Sequence, residues 1–311
     1  MPDGGSAESR ERKRRFQQIQ ICLPLSQPEL LPELQLLLPE PALPLPVSQE
    51  LPQALLNLGI CYERGAGVRR DPEEAMQLYR RAAALQLPAA ENRIGALYER
   101  GDGVPQSWST ATAHYRRAAE AGYAPAQCNL GWCYEYGQGV HEDTAQAAIW
   151  YGKAAEQGFA RAQCCLGWCY EFGKGVPQDA KAAARWYGEA ALQRDPRAEC
   201  CLAICYTNGT GVAADPARAV QLYTLSAQAG FVPAMRNLAQ MYHLGRGTAK
   251  NENAALAWYQ KAAAQDDARA LFMCGQFYEK GFGVAPDAAL AADFYHRAAL
   301  LNYAPAQACY A

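Results

Sequence analysis

The sequence has no long apolar run: nothing in it approaches the roughly 18 consecutive residues that a membrane-spanning helix needs. No export signal is expected either. The basic cluster Arg10, Arg12, Lys13, Arg14 and Arg15 is followed by Gln17, Gln18 and Gln20, then by Pro24 and Pro28, not by an unbroken apolar core. Neither sign of charge is in excess. With 29 Lys and Arg against 31 Asp and Glu, the net charge of −2 offers no long-range field for nucleic acid or an anionic membrane. Histidine is scarce, and His114, His141, His243 and His296 fall at unrelated positions. Glycine pairs such as Gly137 and Gly139 lack the further glycine and lysine of a phosphate loop and follow helical patterns, not strands. No serine recurs beside a lysine or histidine. These absences leave no catalytic site and imply no cofactor; the chain is expected to be non-enzymatic and cytoplasmic.

What the sequence has is repetition. NLGWCYEYGQGVHEDTAQAAIWYGKAAEQG, residues 129–158, recurs 36 residues later as CLGWCYEFGKGVPQDAKAAARWYGEAALQR. In this register Tyr62, Tyr98, Tyr134, Tyr170, Tyr206, Tyr242 and Tyr278 form one column, and Tyr79, Tyr115, Tyr151, Tyr187, Tyr223, Tyr259 and Tyr295 another. Fourteen of the 18 tyrosines therefore sit in two columns. A fixed period of this size predicts a solenoid of stacked supersecondary units, which adds units without enlarging one central core.

Each unit carries two helical patterns. In the third, helix A is expected from about Pro125 to Tyr136, with Ala126, Leu130, Gly131 and Tyr134 on one face. Gly137 can close it in a left-handed conformation, and all seven units have a glycine there. The column Asp71, Ser107, Asp143, Asp179, Asp215, Asn251 and Asp287 reads as the N-cap of helix B. Ala147, Trp150, Tyr151, Ala154 and Ala155 mark its buried face. Gly122, Gly158, Gly230, Asp266 or Asn302 then turns the chain; Gln86 and Arg194 depart, and those two turns are expected to close differently. The small residues at Gly131 and Ala155 are expected to let the two helices approach, with tyrosines filling the space between units.

Outside the repeats, residues 1–22 read as a disordered basic tail, with a nuclear-localisation signal as the alternative. Residues 23–52 interleave eleven leucines with eight prolines, which forbids a long helix. They read as an N-terminal cap for the first unit's exposed flank, or else as a partner-binding segment. Residues 53–311 are the repeat region: about seven units and a C-terminal half repeat.

The pattern A-x-x-x-L-G-x-x-Y-x-x-G-x-G-V-x-x-D-x-x-x-A-x-x-W-Y-x-x-A-A-x-x-G closely resembles the Sel-one-like repeat (SLR) family, relatives of tetratricopeptide repeats. The resemblance implies an all-α, right-handed solenoid of helix pairs acting as a protein scaffold or adaptor. Some cysteine-rich bacterial members have been described as penicillin-binding or β-lactamase proteins, so a hydrolase of that type is an alternative, although no nucleophile for it is visible here. Those relatives join the two helices of a repeat by disulfides, whereas the helix B segments of this chain contain no cysteine.

Ten of the twelve cysteines lie on helix A segments, from Cys61 to Cys274. Cys61, Cys133, Cys169 and Cys205 share one column, Cys128, Cys164 and Cys200 another, and Cys165 and Cys201 a third. Same-column positions on stacked helices lie about 8–10 Å apart, beyond disulfide reach. Reduced cysteine packs as a small hydrophobe. The alternative is a metal- or redox-responsive scaffold, with Cys165, Cys169, Cys201 and Cys205 as zinc ligands.

A second face of helix A varies between units: Asn129, Trp132, Cys133 and Tyr136 in the third, Cys165, Trp168, Cys169 and Phe172 in the fourth. The signature columns lie elsewhere, so this face is free of the fold's requirements, and on a helix-pair solenoid it lines the concave side. Aromatics at the centre with Arg64 and Arg100 towards one end suit a peptide groove of aromatic anchors and polar flanks. The expected partner is a protein or peptide, met by Asn129, Trp132, Tyr136, Trp168, Phe172, Arg64 and Arg100 of a monomer, with no nucleic-acid or membrane partner. The plainer alternative is that these rings only pack.

Overall fold

The structure, a computed structural model, describes residues 51–308. The tail at 1–22, nearly all of the Pro/Leu segment at 23–52 and the last three residues lie outside the described residues. Among the described residues there are fifteen helices and no strand. They fall into two compact units, divided after Glu142.

The first unit holds α1 (Pro52–Arg64), α2 (Pro72–Ala84), α3 (Pro88–Arg100), α4 (Trp108–Glu120) and α5 (Ala124–Glu135). The second holds α6 (Thr144–Glu156), α7 (Ala160–Phe172), α8 (Ala180–Leu192), α9 (Pro196–Asn208), α10 (Pro216–Gln228), α11 (Val232–Leu244), α12 (Glu252–Ala263), α13 (Ala268–Lys280), α14 (Ala288–Leu300) and α15 (Ala304–Ala308). Within each unit the chain packs every helix against the next. Odd-numbered helices are the A helices of the repeats and even-numbered ones the B helices.

Capping follows the sequence columns. Asp71, Ser107, Asp143, Asp179, Asp215, Asn251 and Asp287 each precede a B helix in extended backbone, and each side chain accepts a bond from an amide of the first turn. In six of the repeats the amide of the cap residue also donates back to the preceding A helix, as Asp71 does to Tyr62 O at 2.9 Å and Asp179 to Tyr170 O at 2.9 Å. The cap therefore fixes both where helix B begins and how far it lies from helix A.

The core of a repeat is a lock between its two helices. Tyr79 of α2 lies on Gly59 of α1: a Cβ at Gly59 would stand 2.5 Å from the ring. The Tyr79 hydroxyl donates to Glu63 at 2.6 Å. Tyr115 is placed likewise on Gly95 and bonded to Glu99. In the second unit Tyr187 sits on Gly167 and donates to Glu171 at 2.6 Å, and Tyr295 sits on Gly275 and donates to Glu279 at 2.7 Å. The ring thus fills space inside its own repeat. The glycine is small to admit that ring, more than to let the helix backbones touch. Two repeats depart, and both lock residues change together. Ala203 accompanies Thr207, and Ala239 accompanies His243.

Neighbouring repeats meet at two other places. From the second repeat on, the second glycine of the A–B turn rests on the first turn of the preceding B helix: a Cβ at Gly139 would lie 2.3 Å from Trp108 O, and one at Gly175 2.0 Å from Thr144 O. Gly139 and Gly175 also have φ of 71° and 72°, so both space and backbone demand glycine. The A helices contact one another with an offset of 37 residues. Asn129 donates to Asn92 at 2.9 Å in the first unit, and Asn237 reaches Cys200 Sγ at 3.9 Å in the second.

The turns at Gln86 and Arg194 do not close differently. Gln86 has φ 58° and Arg194 φ 62°, in the same left-handed region as Gly122, Gly158 and Gly230; Asp266 and Asn302 join them. The bonds that close this turn, such as Gln86 N to Ala83 O at 2.9 Å and Leu87 N to Ala82 O at 3.3 Å, set its shape whatever the side chain. The side chain bears the strain.

Two predictions follow from this geometry, both read by thermal or urea unfolding. Gly167→Ala and Gly188→Ala both change a mid-helix glycine, yet should move stability in opposite directions. The first forces a methyl to 2.7 Å from the buried Tyr187 ring, costing about 1–3 kcal/mol. The second meets nothing within 4 Å and should gain up to about 1 kcal/mol from helix propensity. Shifts of the same sign would contradict the lock. Gln86→Gly should stabilise by about 1 kcal/mol through relief of the left-handed backbone; a lowered midpoint would contradict the turn geometry.

Candidate interaction surfaces

The variable A-helix face divides between core and surface. Cys133 and Cys169, placed on it by the sequence, are buried in the core. They are therefore part of the fold: the Cys133 thiol meets Thr112 of the preceding B helix, and Cys205 of the same column packs with Ala183, Ala184 and Tyr187 of its preceding B helix. Tyr136 and Phe172, one turn on, are 53% and 55% exposed. In the first unit Trp132 is half-buried between Trp108 and Tyr136, with ring centroids 5.4 and 5.1 Å away. Asn129 on the same helix is tied to Asn92. Arg64 and Arg100 are exposed, and Arg100 bonds Glu63 at 2.7 Å, joining the lock of the preceding repeat. In the second unit Trp168 is half-buried and packs on Phe172 at 5.2 Å. Each unit thus presents a half-buried tryptophan with an exposed ring beside it. One edge of each pair serves packing and the other meets solvent.

The cysteines behave as packing. Cys128, Cys133, Cys169, Cys200, Cys205 and Cys274 are buried among core residues. Burial pushes the Cys133 thiol up to about 11 and those of Cys200, Cys205 and Cys274 up to about 12. A raised, buried thiol is a poor nucleophile and a poor metal ligand. Among the described residues no group of three or more His, Cys, Asp or Glu side chains could hold a metal ion. The four-cysteine set Cys165, Cys169, Cys201 and Cys205 is divided between core and half-buried positions. The thiols that do meet are Cys164 and Cys201, hydrogen-bonded to each other across neighbouring A helices; that bond and burial push the Cys164 thiol up. They share no column. They meet because the A helices are offset by 37 residues, a spacing the single-column reading did not contain.

His114, which stands in the helix B aromatic column, is structural. It stacks on Tyr98 with centroids 5.7 Å apart and bonds Glu91 at 2.6 Å, and burial lowers its pKa below the usual range. The recurrent glutamates are lock residues, not acids waiting for a substrate.

The repeat geometry and the comparisons with known proteins agree. The Sel1 repeat family matches seven consecutive stretches: 52–87, 88–123, 124–159, 160–195, 196–231, 232–267 and 268–303. This chain belongs to the Sel1 repeat family. Sel1 repeat proteins are generally protein-interaction scaffolds, and generally not enzymes. A solved Sel1 repeat protein from Oxalobacter formigenes is 34% identical, covers 78% of this chain and 96% of its own, and superposes with a TM-score of 0.71. A protective antigen of uropathogenic Escherichia coli strains, with an SLR fold, is 31% identical over 90% of this chain, with a TM-score of 0.72. The chain spans 58% of that antigen's length. No curated protein matches the chain in sequence. Among the described residues no helix is long and apolar enough to cross a membrane.

Alkylation tests the packed cysteines of this Sel1 repeat protein. With iodoacetamide at pH 8, Cys133, Cys200, Cys205 and Cys274 should stay unmodified in the folded chain and react fully in urea, as followed by peptide mass spectrometry. Rapid native labelling of Cys133 would show that its column faces solvent.

Proposed function

We propose that this Sel1 repeat chain is a non-enzymatic adaptor which, as a monomer, holds a peptide or helix of a partner protein against its A-helix faces. Trp132 and Tyr136 with Asn129 form one anchor; Trp168 and Phe172 form another; Arg64 and Arg100 supply polar flanks. The observation that carries this reading is the placement of Tyr136 and Phe172. Large rings are left half in water beside seated tryptophans, although neither is needed by the lock or the turns. Binding energy at interfaces concentrates in such aromatic anchors. Recurrence also weighs against catalysis, since a catalytic acid is needed once and the glutamates of this chain recur as lock partners.

Affinity capture from the native cell with wild type and with a Trp132→Ala, Trp168→Ala variant tests the assignment. Each alanine should cost about 2 kcal/mol or more of binding, enough to lose the specific partner, while circular dichroism stays helical. Recovery of the same partners by both proteins would sink the assignment.

A further inference from the structure

The lock is incomplete in the sixth repeat. Tyr259 of α12 is 2% exposed, buried like Tyr79, Tyr115, Tyr151, Tyr187 and Tyr223. At the lock position stands His243, turned to Glu252 at 2.6 Å. The fifth repeat also lacks the glutamate but compensates, because Tyr223 bonds Thr207 and Asn237. For Tyr259, no side chain among the described residues accepts the hydroxyl proton. It lines instead a cavity of 280 Å³ shared with Arg236, Gln240, Leu244, Arg269 and Phe272.

The charges around this cavity are unbalanced. Arg236 is paired with Asp267 at 2.7 Å, and His243 and Lys250 share Glu252 at 2.6 and 2.9 Å. Arg269 has no acidic partner among the described residues. In the first repeat the equivalent tyrosine meets a carboxylate flanked by two guanidiniums, Arg93 at 3.8 Å and Arg100 at 2.7 Å from Glu63. The sixth repeat keeps the buried tyrosine without the lock carboxylate; the positions of Arg93 and Arg100 are taken by Met273 and Lys280, and the guanidiniums lining its cavity, Arg236 and Arg269, come from other positions of the repeat. The volume lies just under the range for drug-sized ligands, about 300–1,000 Å³, and suits one side chain. Leu244 and Phe272 give its mouth an apolar rim. Burial raises the Tyr259 pKa, Cys274 adds to the rise, Arg236 and Arg269 pull it down, and Glu252, held by His243 and Lys250, raises it last and least.

We propose that this cavity is a binding site for an acidic side chain of a partner polypeptide, whose carboxylate takes the place of the missing lock glutamate between Tyr259, Arg236 and Arg269. The site goes beyond the adaptor reading and needs neither aromatic pair, so either can fail without the other.

The test uses the full chain with labelled tyrosine rings, followed by NMR, and a five-residue peptide, capped at both ends, with a central glutamate between leucines. Matched peptides carry a central glutamine, or a central glutamine with a free C-terminal carboxylate. The glutamate peptide should shift the Tyr259 ring signal, identified by its loss in Tyr259→Phe, and should bind about 10-fold tighter than the glutamine peptide, as expected for a charge-assisted bond. Arg269→Gln, an exposed change, should weaken it by a similar factor. His243→Glu should restore the internal carboxylate and abolish binding, while the circular dichroism stays helical. Equal binding of the capped glutamate and glutamine peptides would overturn the proposal. So would binding of the free-carboxylate peptide alone, or an Arg269→Gln variant that binds unchanged.

Discussion

The structure depends on one contact: a tyrosine of helix B laid on a glycine of helix A, its hydroxyl held by a glutamate one turn further along helix A. Each part requires the others. The ring needs the missing Cβ, since at Gly59, Gly95, Gly167 and Gly275 a methyl would intrude to 2.5–2.7 Å. The buried hydroxyl needs an acceptor, because an unsatisfied one costs about 1–3 kcal/mol. The glutamate needs a donor and a cation to sit where it does, as Glu63 has in Tyr79, Arg93 and Arg100. An apolar contact of the same area would hold the two helices together at many rotations. The hydroxyl–carboxylate bond selects one, and so fixes which face of each helix is left for its neighbours.

Stacking within each unit is then a matter of backbone shape. The turn glycines at Gly139, Gly175, Gly211 and Gly247 would each place a Cβ within 2.3 Å of a carbonyl oxygen in the previous B helix. Repeats therefore meet through main chain, with side chains such as Asn92 and Asn129 or Cys164 and Cys201 adding bonds at the 37-residue offset. Main-chain contact is indifferent to sequence beyond glycine. That is why the A-helix face can vary from unit to unit while the period holds.

Most of the fold was legible in the sequence, because its demands recur. The N-cap column and the turn glycines each state a physical requirement seven times, and the structure meets each with the expected geometry; the Tyr79 column packs too, but inside its own repeat and not between units. What could not be read was anything set between columns. The 37-residue offset that brings Cys164 to Cys201 belongs to the crossing of neighbouring A helices, not to the repeat unit. The turns at Gln86 and Arg194 misled for a related reason: a missing glycine suggested a different backbone, but the hydrogen bonds of the turn dictate the same left-handed residue. The variable face was half legible. Periodicity put Trp132, Tyr136, Trp168 and Phe172 on one side of helix A, but could not show that Cys133 and Cys169 roll into the core.

A repeat protein of this kind separates structure from function by recurrence. Residues that recur serve the lock and the stack; those that break a column are released from that duty, or have been given another. His243 illustrates the difference. Read alone, it is a histidine bonded to a glutamate, which describes a structural ion pair. Read in register, it stands where four of its equivalents hold a tyrosine hydroxyl, and its departure strands Tyr259 beside two arginines in a cavity. The fifth repeat makes the same omission and repairs it with Thr207 and Asn237, so loss of the glutamate does not by itself leave a cavity. An unrepaired polar gap in an otherwise complete series is a stronger indication of a ligand than any single side chain within it, because the other repeats show what chemistry the gap is shaped to receive.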